Sequence, residues 1–226
     1  MREVAIPVDP VQVMVSGLFI RPDHATALCV FAHGAGAGMR HPFMADFAEA
    51  LAGERIATLR YQFPYMEAGS GRPDTPVVAA ATVQSAVHSA NELAPDLPLL
   101  AGGKSFGGRM TSTAASRVQL PGVHGLVFLG FPLHPAKQPA TSRADHLDLV
   151  SVPMLFLQGT RDELADLEVD PLLVGPFRHF PPPQLYLLRA ILSSIRDKQS
   201  NTTFYLVPAV FKSLEMTWSI RRSVDT

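Results

Sequence analysis

The sequence predicts an α/β fold in which a mostly parallel sheet is flanked by helices. Short continuous apolar runs alternate along the chain with longer segments of helical spacing. Runs of this kind are typical of strands that are buried on both faces of a parallel sheet. Polar or glycine-rich segments follow three of the runs. In open α/β sheets, ligands bind outside the carboxyl ends of the strands, so these three segments are expected to converge.

The strands are predicted from apolar runs that end at turn or polar residues. The segment Arg21-Pro22-Asp23-His24 supplies turn chemistry between the first two runs, and Pro153 begins the last clear one. The predicted strands cover residues 11–20, 27–32, 55–60, 97–101, 125–129 and 153–157. A further strand interrupted by Pro208 is predicted over 204–211.

The helices are predicted from apolar residues that recur at helical spacing. Phe43, Phe47 and Leu51 share one side of a segment covering 43–52. The alanine-rich segment 75–93 has Pro76 at an early helical position, where a missing N–H costs nothing. Its predicted packing face is Val77, Ala80, Ala81, Val87 and Ala90. Further helices are predicted over 106–117 and 185–195.

Length and composition favour a single globular domain without a nucleic-acid partner. The chain has 226 residues, 47% hydrophobic residues and a net charge of −1, so no strong basic field is present. The one cysteine, Cys29, lies in an apolar run and is expected to be a buried structural thiol. The sequence shows neither a signal peptide nor a transmembrane run, which predicts a cytoplasmic protein with no membrane partner.

The segment Gly103-Lys104-Ser105-Phe106-Gly107 carries a G-x-S-x-G pattern. An apolar strand is predicted before it and a helix after it. A serine on a sharp turn from strand to helix is the context of a nucleophile elbow. Side chains at positions 103 and 107 would collide with the adjacent strand and helix, which explains the glycines. The alternative is a glycine-rich loop without chemistry.

A glycine-rich segment, residues 33–38, follows the second predicted strand. Acyl transfer builds negative charge on a carbonyl oxygen, and backbone N–H groups approach that oxygen where few side chains intervene. The N–H groups of Ala35 and Phe106 are the predicted oxyanion donors. His33 is expected to orient this segment through its ring nitrogens rather than to act as a base. The alternative is a turn that binds nothing.

Asp162 is the candidate catalytic acid. It follows the last clear strand, where its carboxylate would orient a histidine and stabilise the imidazolium. The alternative is a helix N-cap before Glu163, a position that aspartate favours. No metal or organic cofactor is predicted, because the sequence has no His, Cys and Asp cluster with ligand spacing.

The residues together resemble the small α/β-hydrolases related to dienelactone hydrolase. The branch includes the testis-expressed-thirty proteins and the third regulatory subunit of the NSL acetyltransferase complex. The resemblance covers about residues 10–168 and rests on the stretches AHGAGAGMRHPFM, LRYQFPY, GGKSFGGRM, LGFPLHPAKQP and VPMLFLQGTRDELAD. It implies the α/β-hydrolase fold, with Ser105 as nucleophile, Asp162 as acid, and the 33–38 segment with Phe106 as oxyanion donors.

The catalytic histidine that the resemblance implies has no clear counterpart. His179 is the one histidine after Asp162, and its neighbours do not match the family motif. Composition also changes here, since residues 1–168 hold 25 alanines and residues 169–226 hold 2. An α/β-hydrolase core over 1–168 and an atypical segment over 169–226 are therefore predicted. This segment is either a divergent end or a replacement, for instance by a reading-frame shift after Glu168.

The favoured function is a serine hydrolase of small carboxylic esters that uses Ser105 and an oxyanion hole. Arg60, Tyr61, Phe63 and Tyr65 are candidates for the wall of its site. Two alternatives stay open. One is a binding or scaffold protein that keeps the fold without a working triad. The other is an acyltransferase, because water or another acceptor can enter the same site.

Overall fold

The computed structural model describes residues 1–134, 142–159 and 202–207. Its eight strands are β1 (Arg2–Val8), β2 (Val13–Ile20), β3 (Ala27–Ala32), β4 (Ile56–Tyr61), β5 (Leu99–Lys104), β6 (Val123–Leu129), β7 (Met154–Gly159) and β8 (Thr202–Val207). Its α-helices are α1 (Pro42–Gly53), α2 (Pro64–Glu67), α3 (Pro76–Leu93) and α4 (Phe106–Arg117).

All eight strands form one sheet, in the order β1-β2-β4-β3-β5-β6-β7-β8. Strands β4, β3, β5, β6 and β7 are parallel neighbours. The pairs β1 with β2, β2 with β4, and β7 with β8 are antiparallel. The prediction of an α/β fold with a mostly parallel sheet is confirmed, and the carboxyl ends of five strands meet at one edge.

The central strands are buried on both faces, as their continuous apolar runs predict. Every residue of β3 and of β4 is buried. One layer of apolar side chains packs with α3 and α4, and a second layer packs with α1. Cys29 belongs to the second layer and is fully buried, which confirms its structural role. Burial raises the pKa of its thiol to about 12.

Strand β1 was not predicted from the sequence. Its burial pattern shows why, since only Ile6 and Val8 are buried and the other residues of the strand are exposed or half-buried. Strand β1 lies at the edge of the sheet and pairs with β2 alone. An edge strand has little apolar surface to bury, so its sequence pattern is weak.

The helices begin at residues that satisfy their first backbone donors. The His41 Nδ1 accepts the N–H of Phe43 at 3.2 Å before α1. The Thr75 hydroxyl accepts the N–H of Val78 at 3.5 Å before α3, and Pro76 is the first helical residue. The predicted packing face of α3 is partly wrong. Val77 is 64% exposed because it lies on the outward side of α3 together with the half-buried Ala81 and the exposed His88, whereas Ala79 and Val83 are buried in the core.

Several predictions concern the chain beyond residue 159. The predicted helix over 185–195 lies outside the described residues. The predicted strand over 204–211 overlaps β8, which ends at Val207, before Pro208. Within the described parts of the chain, no helix has the length and apolar character needed to cross a membrane.

Candidate active site

Ser105 lies on a sharp turn between β5 and α4. Its backbone has φ 49° and ψ −113°, a conformation that residues with a side chain seldom adopt. Its N–H donates to the carbonyl of Leu129 at 2.9 Å, and its carbonyl accepts the N–H of Arg109 at 3.1 Å. Hydrogen bonds to Leu129 in β6 and to Arg109 in α4 therefore hold the strained residue in place. Such strain persists only where the surrounding structure fixes the backbone in this way.

The glycines around Ser105 are required by close backbone packing. A Cβ atom at Gly103 would lie 2.7 Å from the carbonyl oxygen of Ala32. A Cβ atom at Gly107 would lie 2.5 Å from the carbonyl oxygen of His33. Real Cβ atoms do not approach backbone atoms this closely. The predicted collision at positions 103 and 107 is confirmed, and the close approach brings the turn against the end of β3.

The 33–38 segment lies beside the serine. A Cβ atom at Gly34 would be 3.9 Å from the Cβ of Ser105. Phe106 begins α4, and the first N–H groups of a helix have no acceptor within the helix. The structure thus brings the 33–38 segment, Ser105 and the free end of α4 together. Ala35 and Phe106, the predicted oxyanion donors, are at this junction.

His33 holds the segment through both ring nitrogens. The Nδ1–H donates to the carbonyl of Gly34 at 2.7 Å, and the Nε2 accepts the N–H of Phe63 at 3.2 Å. The backbone partners determine this tautomer, since a carbonyl can only accept and an N–H can only donate. Burial lowers the pKa of His33 and favours the neutral ring. The prediction that His33 orients the segment is confirmed.

This arrangement also fixes the direction of the Ala35 N–H. The carbonyl of Gly34 and the N–H of Ala35 belong to one planar peptide and point in opposite directions. The Tyr65 hydroxyl donates to the next carbonyl, that of Ala35, at 2.9 Å. Two successive peptides are therefore held by side chains, which is what a preorganised donor requires.

Tyr65 is itself held by Asp74. The Asp74 carboxylate accepts the N–H of Tyr65 at 3.1 Å. Burial and, as a smaller effect, the nearby Asp74 charge raise the pKa of the Tyr65 hydroxyl to about 12. The hydroxyl therefore stays protonated at neutral pH and remains a donor to the carbonyl of Ala35.

Two side chains, Arg60 in β4 and Gln62 just after this strand, hold Met39 at the far end of the 33–38 segment. The Gln62 Oε1 accepts the N–H of Met39 at 2.8 Å, and the Arg60 Nη1 donates to the carbonyl of Met39 at 3.2 Å. A Cβ atom at Gly38 would lie 2.7 Å from the same Gln62 oxygen. A glycine at position 38 therefore leaves room for the amide that fixes Met39.

The four predicted wall residues have different positions. Tyr61, the last residue of β4, and Phe63, which follows two residues later, are both buried in the core. Arg60 is 3% exposed and holds Met39. Tyr65 alone contacts the 33–38 segment with its polar end. The aromatic rings of Phe63 and Tyr65 pack edge-on against Phe106.

Two predicted site residues, Asp162 and the candidate base His179, lie outside the described residues. Histidine rings within the described ranges form hydrogen bonds through His33, His41 and His146, and none of these bonds involves Ser105. Among the same residues no group of three or more His, Cys, Asp or Glu side chains could hold a metal ion.

The family model described as an alpha/beta hydrolase domain matches residues 25–170. The chain belongs to the α/β-hydrolase family. No curated protein is significantly similar to this α/β-hydrolase in sequence.

Three solved structures resemble this chain in fold. An alpha-beta serine hydrolase homologue from Coxiella burnetii has a TM-score of 0.60 at 18% identity, over 85% of this chain and 81% of that one. The DcsB complex with its substrate analogue has a TM-score of 0.51 at 20% identity, over 59% and 46%. The esterase Est22 has a TM-score of 0.50 at 19% identity, over 62% and 46%. At these identities the likeness is one of fold alone.

The sequence analysis missed several residues that hold the site of this α/β-hydrolase. Gln62 and Asp74 form hydrogen bonds that depend on where the chain turns after β4. Tyr65 belongs to the stretch LRYQFPY, but the sequence does not predict that its hydroxyl bonds to the carbonyl of Ala35. A signal was available for Arg60, because a charged residue inside an apolar strand indicates a specific partner.

Proposed function

We propose that this protein is a serine hydrolase of small carboxylic esters, with Ser105 as nucleophile. The observation that carries the proposal is the positive φ of Ser105 at a turn where two glycines allow close packing. Strained backbone of this kind clusters at catalytic residues, and it exposes the serine oxygen at the carboxyl edge of the sheet. The solved structures of a serine hydrolase homologue and of an esterase share this fold, which agrees with the proposal.

The reaction would proceed through an acyl-enzyme. The Ser105 oxygen attacks the ester carbonyl, a histidine takes the hydroxyl proton, and the carbonyl oxygen becomes an oxyanion. The N–H groups of Ala35 and Phe106 stabilise that oxyanion. The histidine then protonates the leaving alcohol, and water repeats the sequence to release the acid. Asp162 would orient the histidine, for which His179 is the candidate in the sequence.

The short connection between β6 and β7 favours small substrates. Residues 130–153 join these strands, and they include the 3-10 helix Asp145–Leu149. A connection of this length is too short for a large lid domain. We also propose that the chain belongs to the dienelactone-hydrolase-like branch and that residues 1–168 form its core.

Fluorophosphonate labelling and ester hydrolysis test this function together. The wild-type protein is expected to gain one adduct, mapped to Ser105, and to hydrolyse p-nitrophenyl butyrate. Ser105→Ala is expected to lose both. Ser116→Ala is the matched control, because Ser116 lies on the same helix and bonds only to the carbonyl of Thr113. Labelling that survives in Ser105→Ala would refute the assignment.

A non-catalytic binding protein is the second candidate. It is favoured by one observation: the hydrogen bonds of His33, His41 and His146 in the described ranges go to partners other than Ser105. An α/β-hydrolase that lacks only its base keeps a residual acceleration of about 10³–10⁴-fold over water. Turnover at or below that level in the folded wild-type protein, with no fluorophosphonate adduct, would favour the binding protein.

A further inference from the structure

The side chain of Lys104 lies against the beginning of the 33–38 segment. Lys104 is the last residue of β5 and directly precedes Ser105. A Cβ atom at Gly34 would lie 3.7 Å from the carbonyl oxygen of Lys104 and 4.0 Å from its Cγ, which are ordinary van der Waals distances. The residue after Gly34 is Ala35, whose N–H is a predicted oxyanion donor. The backbone and the stem of Lys104 therefore border the segment next to this donor.

The ammonium group of Lys104 reaches the helix that follows the segment. Its Nζ lies 3.9 Å from the centroid of the Phe43 ring, which is well within the range of a cation–π contact. Phe43 is in the first turn of α1. A turn closed by the bond from the His41 N–H to the Gly38 carbonyl, at 3.1 Å, joins the segment to this helix. One side chain thus connects the beginning of the 33–38 segment with the helix just beyond its end.

The Phe43 ring is itself held by two further rings. It stacks on Phe47 with 6.4 Å between the ring centroids and an interplanar angle of 2°. The Phe47 ring packs against Phe31 of β3 at 4.4 Å, and both of these rings are buried. Strand β3 pairs with β5, the strand that ends at Lys104. The row of rings therefore gives the ammonium group a partner that is anchored to the same sheet as the nucleophile.

The contact with Phe43 does not compete with a carboxylate for the Lys104 charge. No ion pair among the described residues involves Lys104. A carboxylate would draw the ammonium group away from the ring, because opposite charges attract each other more strongly than a ring attracts a cation. The direction of the side chain is therefore determined by the ring. Contacts of this kind at exposed positions change an equilibrium constant by about two- to fivefold.

We propose that Lys104 is a positioning residue that holds the 33–38 segment against Ser105 through its contact with Phe43. This inference rests on the proposed function, since it explains how the Ala35 donor keeps its distance from the nucleophile. A donor stabilises an oxyanion most when it is in place before the negative charge develops. Lys104 acts through the segment and not on the substrate, because its ammonium group lies on the Phe43 ring. Loss of the contact is therefore expected to slow the chemical step and to leave ester binding unchanged.

Hydrolysis of p-nitrophenyl butyrate by two matched variants tests the proposal. Lys104→Met keeps an unbranched side chain without the charge, whereas Lys104→Arg keeps a cation that binds aromatic faces. Lys104→Met is expected to lower kcat about two- to fivefold with an unchanged KM, and Lys104→Arg to retain the wild-type kcat. The affinity for butylboronic acid, whose tetrahedral serine adduct occupies the oxyanion hole, should fall with kcat in Lys104→Met. A wild-type kcat in Lys104→Met, or an effect on KM alone, would overturn the proposal.

A double-mutant cycle shows whether Lys104 and Phe43 act together. Phe43→Leu removes the ring but keeps an apolar side chain, and it is expected to lower kcat by the same factor as Lys104→Met. The double variant should be no slower than either single variant, because each change removes the same contact. Effects that multiply would overturn the proposal. Arg117→Met is the control, since it removes a positive charge from an exposed residue at the end of α4. An equal loss of kcat in this variant would also overturn the proposal, because it would indicate an effect of net charge.

Hydrogen exchange separates this proposal from the proposed function. The N–H groups of Ala37 and His41 form hydrogen bonds within the segment and the turn after it, and their exchange can be followed by mass spectrometry of peptides covering 33–41. Exchange there is expected to be about two- to fivefold faster in Lys104→Met and unchanged in Lys104→Arg, with β6 unchanged in both. This result would support the role of Lys104 even if no ester is hydrolysed. Equal exchange in the wild type and Lys104→Met, or faster exchange in β6 as well, would refute it whatever the hydrolysis result.

Discussion

Gly107→Ala is the most direct test of the packing around Ser105. The added Cβ would lie 2.5 Å from the carbonyl oxygen of His33 and 2.7 Å from the Cβ and the carbonyl oxygen of Ala32. Two of these atoms belong to backbone at the end of β3, which the neighbouring strands hold on both sides. The contact can therefore be relieved only by moving α4 away from the sheet.

The expected loss of stability follows from two opposing effects. Overpacking of this kind typically destabilises a protein by about 1–3 kcal/mol. Because the contact is with backbone atoms and not with a flexible side chain, the upper part of this range, about 2–3 kcal/mol, applies. Alanine is favoured over glycine inside a helix by up to about 1 kcal/mol, so a net loss of about 1–2 kcal/mol is expected. For a chain of this size each kcal/mol lowers the Tm by about 2–4 °C, which predicts a decrease of about 2–8 °C.

Thermal unfolding followed by circular dichroism measures this change. Gly53→Ala is the matched control, because no atom lies within 4 Å of a Cβ at this last residue of α1. Its Tm is expected to stay the same or rise slightly. A Gly107→Ala protein as stable as the wild type would show that the backbone can move freely here, and the packing argument would then be wrong.

Three further predictions concern Tyr65, Cys29 and His33. Tyr65→Phe removes the hydrogen bond to the carbonyl of Ala35 and is expected to lower kcat for an activated ester about tenfold, with KM within twofold; an unchanged kcat would contradict the positioning of this segment. The Cys29 thiol, with its pKa raised to about 12 from 9.0, should have a thiolate fraction at pH 8 about a thousandfold below that of the unfolded chain. Iodoacetamide should therefore modify Cys29 only after denaturation, and rapid native labelling would refute its burial. Burial lowers the pKa of His33 below 6.5, so the unfolded chain takes up a proton there before the native state does, and stability falls as the pH drops through about 6.5. The Tm of His33→Gln should decrease less between pH 7.5 and pH 5.5 than the Tm of the wild type. Equal decreases would show that His33 does not contribute to the pH dependence of stability.

Local patterns in the sequence were sufficient for much of the fold. The predicted strand 27–32 and the predicted helix 106–117 have the bounds of β3 and α4. Both are signalled by residues that are close in sequence: an unbroken apolar run in one case, and a glycine turn followed by helical spacing in the other. The glycines at positions 103 and 107 could be explained in advance because a side chain at either position of so sharp a turn collides with the adjacent backbone.

Other parts of the fold and site depended on residues far apart in the chain. Strand β1 has a weak pattern because it lies at the edge, and the sequence does not show which strand becomes an edge. The exposure of Val77 likewise depends on which side of α3 faces the sheet. The bond from Tyr65 to Ala35 joins residues 30 positions apart.

The sequence by itself determined that this chain is an α/β protein with a serine at a strand-to-helix turn, because both features arise from local spacing. The tertiary structure alone decided how the 33–38 segment is held against that serine. It did so because the bonds from His33, Tyr65 and Gln62 depend on the path of the chain after β4.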